Sequence, residues 1–181
     1  MVIATLETER LVMRPFAPHD LDALVELHAE PEFWWYPLRR AMTPDETASF
    51  LQRVLADNRS DDRPSFHAVV GRPDGALMGW AGLSVPDFLP EVLPATEVGW
   101  RLGSRYWGNG FATEAATAAL DWGFDELRLV SVLSIFEPDN VASGRVMDRL
   151  GFPTGYGTTH PVRGLPLVVR SLRAEAWRTR A

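Results

Sequence analysis

The sequence predicts an α/β chain of the α+β kind, built on a single mixed sheet, and three observations carry that expectation. A strand-like segment ending at Leu102 runs through a glycine-bearing turn into an alanine-rich helix and then into a second apolar strand, 130–136. Strand, helix and strand in one sheet imply a right-handed crossover between parallel neighbours. Upstream, two alternating segments flank Pro73-Asp74-Gly75, the pattern of an antiparallel hairpin. The N-terminal third instead carries two stripes of helical period.

Taken in order, Thr8 to Phe16 alternates in part, and Pro15 marks an edge or a bulge. Asp20 is an expected N-cap for a helix whose stripe is Leu21, Leu24, Val25 and His28, stopping before Pro31. Glu32 to Leu38 is an aromatic connecting segment, read either as packing under a loop or, by the family resemblance given below, as one wall of an acceptor pocket. Thr43-Pro44-Asp45-Glu46 starts the next helix with a capping box, and Phe50, Leu51, Val54 and Leu55 form its buried stripe. Asn58 to Pro64 is a polar loop. In the hairpin, Phe66, Ala68 and Val70 alternate with His67 and Val69, so His67 is expected to be packed or on the strand surface. Pro86, Pro90 and Pro94 make the following segment a loop, either mobile or rimming the acceptor site. Ala112, Ala115, Ala116, Ala119, Leu120, Gly123 and Phe124 lie on one face of the central helix, where small residues let it sit close to the sheet. Asn140 is the cap of a further helix that stops at Gly151. Gly155 to Gly164 reads as a loop, and Leu167 to Leu172 as a last strand followed by a short tail.

With 181 residues, 46% of them hydrophobic, residues 1–181 are expected to form one domain with an adequate core. Met1 to Glu7 lacks a basic stretch followed by a long apolar run, and no apolar run reaches membrane-spanning length, so a cytoplasmic protein is expected. The chain has no cysteine, which excludes disulfides, thiolate metal sites and an acyl-cysteine intermediate. A net charge of −6 disfavours nucleic acid as a partner and suits a cationic amine, which an acidic cleft concentrates.

The central turn carries the chemistry. Gly108 and Gly110 flank one residue just before the helix, where backbone can approach a ligand without a Cβ in the way. The first helical amides lack intrahelical partners and sit at the positive end of the dipole, so this end suits a pyrophosphate; a plain strand–helix turn is the alternative. No Walker lysine follows, and the third glycine of a dinucleotide fingerprint is missing.

Arg105-x-x-Gly108-x-Gly110 resembles the acyl-coenzyme A signature of the GNAT N-acetyltransferase superfamily. The longer run Tyr106 to Glu114 is similar to its ribosomal-protein (Rim-type) branch, as is the Thr8-Glu9-Arg10-Leu11 opening. Pro138 to Phe152, with Asn140, Ser143, Leu150, Gly151 and Phe152, resembles the second superfamily signature. The resemblance implies a GNAT fold with a strongly twisted sheet of about six to seven strands and about four helices. It implies acetyl transfer from acetyl-coenzyme A directly to a primary amine, with no metal, and a homodimer as the expected assembly. It assigns cofactor contacts to Trp100, Arg101 and Leu102 along the strand, to Arg105, Trp107, Gly108, Asn109, Gly110, Phe111, Ala112 and Thr113 around the pyrophosphate, and to Asn140. An amide near Val98 or Gly99 would polarise the thioester carbonyl. Glu97 is the implied general base, against an ordinary strand carboxylate. Met147 stands where many relatives carry a tyrosine acid. Ser143 is then the group expected to hydrogen-bond the leaving thiolate, with a structural serine as the alternative. The same departure keeps a second reading open, an acyl-coenzyme A sensor with weak or no turnover.

Overall fold

The computed structural model describes residues 4–59 and 64–180. Its frame is an eight-stranded sheet. The strands are β1 (Leu6–Glu7), β2 (Leu11–Arg14), β3 (Phe66–Gly71), β4 (Leu77–Ser84), β5 (Glu97–Leu102), β6 (Ser131–Phe136), β7 (Tyr156–Thr159) and β8 (Pro166–Arg173). They lie in the order β1-β2-β3-β4-β5-β6-β8-β7. Every adjacent pair is antiparallel except β5 and β6, which are parallel. The helices are α1 (Leu21–His28), α2 (Trp35–Leu38), α3 (Pro44–Asp57), α4 (Phe111–Asp125), α5 (Val141–Arg149) and α6 (Ala174–Thr179).

The fold class agrees with the sequence reading, and the counts run higher for a definite reason. Two-residue β1 and four-residue β7 are too short to show a period, as are four-residue α2 and six-residue α6. The stretch 155–164 is therefore not all loop, because Tyr156–Thr159 pairs with β8 as an edge strand. The C-terminal tail is likewise a helix that buries Trp177. At α3 the capping box forms as read: the Thr43 hydroxyl accepts from the Glu46 amide and Glu46 accepts from the Thr43 amide. Asp20 precedes α1 but does not cap it. Its carboxylate turns back to accept from Ala17 N–H and from Arg14 at 2.6 and 2.8 Å. The polar loop after α3 lies partly outside the described residues.

Alternation along the strands separates two faces. One carries Val98 and Leu102 against Ala115, Ala116, Ala119 and Leu120 of α4, the main core. A Cβ on Gly123 would stand 2.9 Å from Leu83 Cδ1, so this small residue sets how closely α4 rides on the sheet. Leu120 is fully buried there, and truncation to alanine is worth about 2–5 kcal/mol. On the opposite face α1 and α3 pack Leu24, Leu27, Phe50 and Val54 over Ala68 and Trp80. The proline-rich loop is anchored on that same side by Leu89, which packs with Leu133, Leu167 and Val169.

Candidate active site

The parallel pair β5–β6 is the irregular place in the sheet. Glu97 opposite Leu133 is its single registered pair, fastened by Leu133 N–H donating to Thr96 O at 2.9 Å. Beyond it the strands part towards Leu102 and Phe136, and each leads into a helix, α4 or α5. A fork of this kind exposes unpaired backbone on both strands, which an extended ligand can pair with.

Glu97 sits at the base of the fork and is half-buried. Burial pushes its carboxyl up to about 8, opposed in part by the Ile135 amide that donates to it from the other strand. Strand alternation puts Glu97, Gly99 and Arg101 on the α1–α3 side, and Val98, Trp100 and Leu102 on the α4 side.

At the open end of β5, residues 107–110 turn into α4. Gly108 and Gly110 have φ of +77° and +82°, a conformation costly for residues with a Cβ. A Cβ at Gly108 would meet nothing within 4 Å, and one at Gly110 would meet only Arg10 Nη2 at 3.6 Å, so the space in front of the turn is free. No side chain caps the N-terminus of α4, and the buried Thr113 hydroxyl has no partner. An open groove of about 900 Å³ begins at Gly108, Gly110 and Thr113 and follows α4 beside Leu6–Thr8. These residues fit a pyrophosphate. Trp107 ties the turn to the strand, its indole N–H donating to Leu102 O at 2.7 Å, and the Asn109 side chain donates to Trp107 O at 2.9 Å. The Arg105 guanidinium lies over the Tyr106 ring, 5.0 Å from its centroid. Phe111 and Ala112 complete the first turn, half-buried.

The β1–β2 turn clamps this loop from outside. Glu114 in the first turn of α4 accepts from Thr8 Oγ1 (2.5 Å), Arg10 N (3.0 Å) and Arg10 Nε (2.7 Å). Arg10 also donates through Nη1 to Asn109 O at 3.0 Å and covers the Phe111 ring at 4.4 Å. Burial alone would raise the Glu114 carboxyl, but these donors outweigh it and hold it below its ordinary value.

At the end of β6, Asn140 caps α5 by accepting from Ser143 N–H at 3.2 Å, which leaves its amide NH₂ uncommitted. The two residues are thus brought together. Met147 is buried in the main core and offers no proton donor.

The structure also joins residues that no local sequence signal links. Phe33 to Arg39 spans the fork on the α1–α3 side as a strap. Arg101 on β5 donates to Phe33 O, Tyr36 Oη donates to Asp139 O at 2.8 Å, and Arg39 pairs with Glu137 at 2.5 Å. The side chain of Arg101 therefore points away from the cofactor side, over Trp34 at 4.4 Å and Trp80 at 5.5 Å. Burial lowers it to about 10, with Glu137 opposing. From the hairpin between β7 and β8, Arg163 donates to Pro37 O at 3.3 Å, and His160 stacks on Phe88. His28 is enclosed by Phe33, Trp34 and Phe50, with Nδ1 3.0 Å from the Thr47 hydroxyl. Burial, and then Arg101, lower it to about 4. His67 is packed against Trp122 of α4, as the strand reading allowed, and burial lowers it to about 4 despite its contact with Ala4 O. Arg10 was visible only as part of the N-terminal run, and nothing local in sequence links Glu137 to Arg39, 98 residues earlier.

Comparison with known proteins agrees with this geometry. The chain is 28% identical over 148 residues to the uncharacterized N-acetyltransferase p20 of Bacillus licheniformis, covering 82% of each protein. It is 30% identical over 161 residues to the FsC-acetyl coenzyme A-N(2)-transacetylase of Aspergillus fumigatus, covering 86% of this chain and 65% of that protein. The acetyltransferase from Agrobacterium tumefaciens superposes with a TM-score of 0.78 at 26% identity, covering 96% of both chains. The ribosomal-protein-S5-alanine acetyltransferase of Vibrio fischeri shares the fold, with a TM-score of 0.76 at 19% identity over 97% of this chain and 99% of that one. Residues 10–153 match the acetyltransferase (GNAT) domain model, and the chain belongs to that family.

Proposed function

We propose that this chain, as one domain over residues 1–181, transfers an acetyl group from acetyl-coenzyme A directly to a primary amine. The observation that carries the reading is the β5–β6 fork, with an uncapped helix N-terminus at one side and the half-buried Glu97 at its base. Acetyl-coenzyme A supplies a thioester-activated acetyl group. The amides of Gly108 to Thr113 and the Thr113 hydroxyl hold the pyrophosphate, and the Asn140 NH₂ donates to the bound arm. Backbone of Trp100, Arg101 and Leu102 pairs with the extended pantetheine as a missing strand would. The Val98 or Gly99 amide polarises the thioester carbonyl.

Glu97 takes the proton of the incoming ammonium, directly or through water. An α-amino group titrates at about 7.7–8.0, so a carboxyl near 8 is matched to it. The amine nitrogen then bonds to the carbonyl carbon as the carbon–sulfur bond breaks, and the departing thiolate, hydrogen-bonded by Ser143, takes up the second proton of the amine to leave as the thiol. Without cysteine, no acyl-cysteine step is available. The Tyr106 to Glu114 run supports a Rim-type placement, and a homodimer in the cytoplasm is the assembly that goes with this reading. Incubation with acetyl-coenzyme A and an amine panel tests the reading: thiol release matched by an acetylated amine is expected, and its absence for every amine sinks it.

A further inference from the structure

Beneath the strap, several buried polar atoms have no partner. They are the indole nitrogens of Trp34 and Trp80, Nε of Arg101, Nε2 of His28 and one carboxylate oxygen of Glu137. Trp80 is 7% exposed, Glu137 5% and His28 0%, so water does not readily satisfy them. A buried donor without an acceptor costs about 1–3 kcal/mol, and native chains rarely keep several in one place without a use for them. The atoms belong to one cluster. The Trp34 and Trp80 rings are 6.3 Å apart, Arg101 lies over both, and His28 is 5.1 Å from Trp34.

Of these five free atoms three, both indoles and the guanidinium Nε, only donate, the Glu137 oxygen only accepts, and the role of His28 Nε2 depends on its tautomer. Arg101 and Arg39 bring two positive charges to the mouth of the fork against the negative charge of Glu137, which pairs with Arg39 at 2.5 Å and interacts with Arg101, while burial keeps Glu97 protonated below about 8. A further cation would deepen the imbalance, whereas one carboxylate would cancel it and accept from the free donors.

We propose that the acceptor is a small amine that also carries a carboxylate, which Arg101, Trp34 and Trp80 hold beneath the strap while the amino group faces Glu97. Arg101 stands two residues beyond Gly99 on the same strand face, and Glu97 two residues before it. Two residues of strand span about 6.6 Å. An amine reacting at the level of Gly99 therefore has its carboxylate within roughly 4–7 Å, the span of an α-, β- or γ-amino acid. This class rests on the amine-acetylation reading above and narrows it.

Matched trios test it. Each holds an amino acid, its amide and the amine left when the carboxylate is removed, for example phenylalanine, phenylalaninamide and phenethylamine, or glycine, glycinamide and methylamine. With acetyl-coenzyme A saturating, kcat/KM is expected to favour the acid over its amide by about 10–100-fold, the worth of a charge-assisted contact. The amide has the less basic amine, so amine ionisation alone would push the ratio the other way. Arg101→Met is expected to bring the acid-to-amide ratio to within about threefold. Trp80→Phe, which keeps a ring and deletes one N–H, is expected to fall between. The ratio is internal to each variant, so a partly unfolded preparation does not alter it. Equal use of acid, amide and amine, or an unchanged ratio in Arg101→Met, overturns the proposal and leaves the transferase reading standing. Absence of thiol release with every amine overturns both.

Discussion

On the α4 side of the fork, most polar groups are engaged or open to solvent, with the Thr113 hydroxyl and His67 Nδ1 as buried exceptions. Glu114 is surrounded by donors from Thr8 and Arg10, Trp107 and Asn109 spend their N–H groups on the turn, and the first amides of α4 face free space. On the strap side, aromatic rings enclose ionisable groups whose polar atoms lack partners, and the covering segment is fastened by three hydrogen bonds to strand ends or the loop after β6. The first region is rigid scaffolding for a ligand of fixed chemistry. The second has the character of a site completed by its ligand. The difference suits a reaction in which one substrate is common to a whole family and the other is particular to each member.

The largest effect is expected at the base of the fork, where the two regions meet. Glu97→Gln keeps shape and removes the proton acceptor, so turnover near pH 8 should fall roughly 10²–10⁴-fold with acetyl-coenzyme A affinity nearly unchanged. The wild-type rate should climb as pH approaches 8, as the Glu97 carboxyl loses its proton, while the deficit of the variant shrinks at higher pH as free amine accumulates. A stopped-time assay across pH 6–10 checks this, and turnover close to wild type would remove Glu97 from the chemistry.

Much of the α4 side was legible in the sequence, because its signals are local. Glycine spacing, an alanine-rich face and an asparagine before a helix each act within a few residues, and α4 and α5 follow from them. The strap side was not legible, because its contacts join residues far apart: Arg39 with Glu137, Tyr36 with Asp139, Arg101 with Phe33. Its aromatic segment was recognised, but alternation gives only the side of the strand on which Arg101 lies, not the partner it meets. Asp20 shows the same limit at short range. Its type and place suit a cap, yet an arginine on β2 competes for the carboxylate and wins.

Gly110→Val sharpens the comparison from the cofactor side. A positive φ and free space in front of the turn mean that the valine strains the backbone and occupies the phosphate position, weakening acetyl-coenzyme A binding at least about 10-fold. Unchanged affinity in a calorimetric titration of the folded variant would count against the cradle. Arg10→Met acts one layer further out. It removes the side-chain donors to Glu114 and to the Asn109 carbonyl, and should raise KM for acetyl-coenzyme A several-fold while KM for the acceptor stays put. Equal changes in both constants would mean general loosening in place of a clamp.

The smallest effect is on stability, and its sign differs between groups. His28 and His67 have folded values near 4, below the ordinary histidine value of 6.5, so their contribution is present above pH 6.5 and lost as pH falls towards 4. Glu97 is raised from 4.5 to about 8, so its contribution is present below pH 4.5 and lost as pH rises through 8. Melting temperature should therefore drop in acid in every variant. Between pH 5 and 8 the decline due to Glu97 should disappear in Glu97→Gln.

The central claim is that the fork joins an acetyl donor to an amine in a single transfer. Mass spectrometry of a reaction with isotope-labelled acetyl-coenzyme A and the amino-acid trios measures it directly, with released thiol counted alongside. The expected result is one labelled N-acetyl group on the small amine for each thiol released, with none on the protein. Tight acetyl-coenzyme A binding without any labelled product, from these trios or from a wider panel of peptide and small-molecule amines, would contradict the claim and identify the chain as an acyl-coenzyme A sensor.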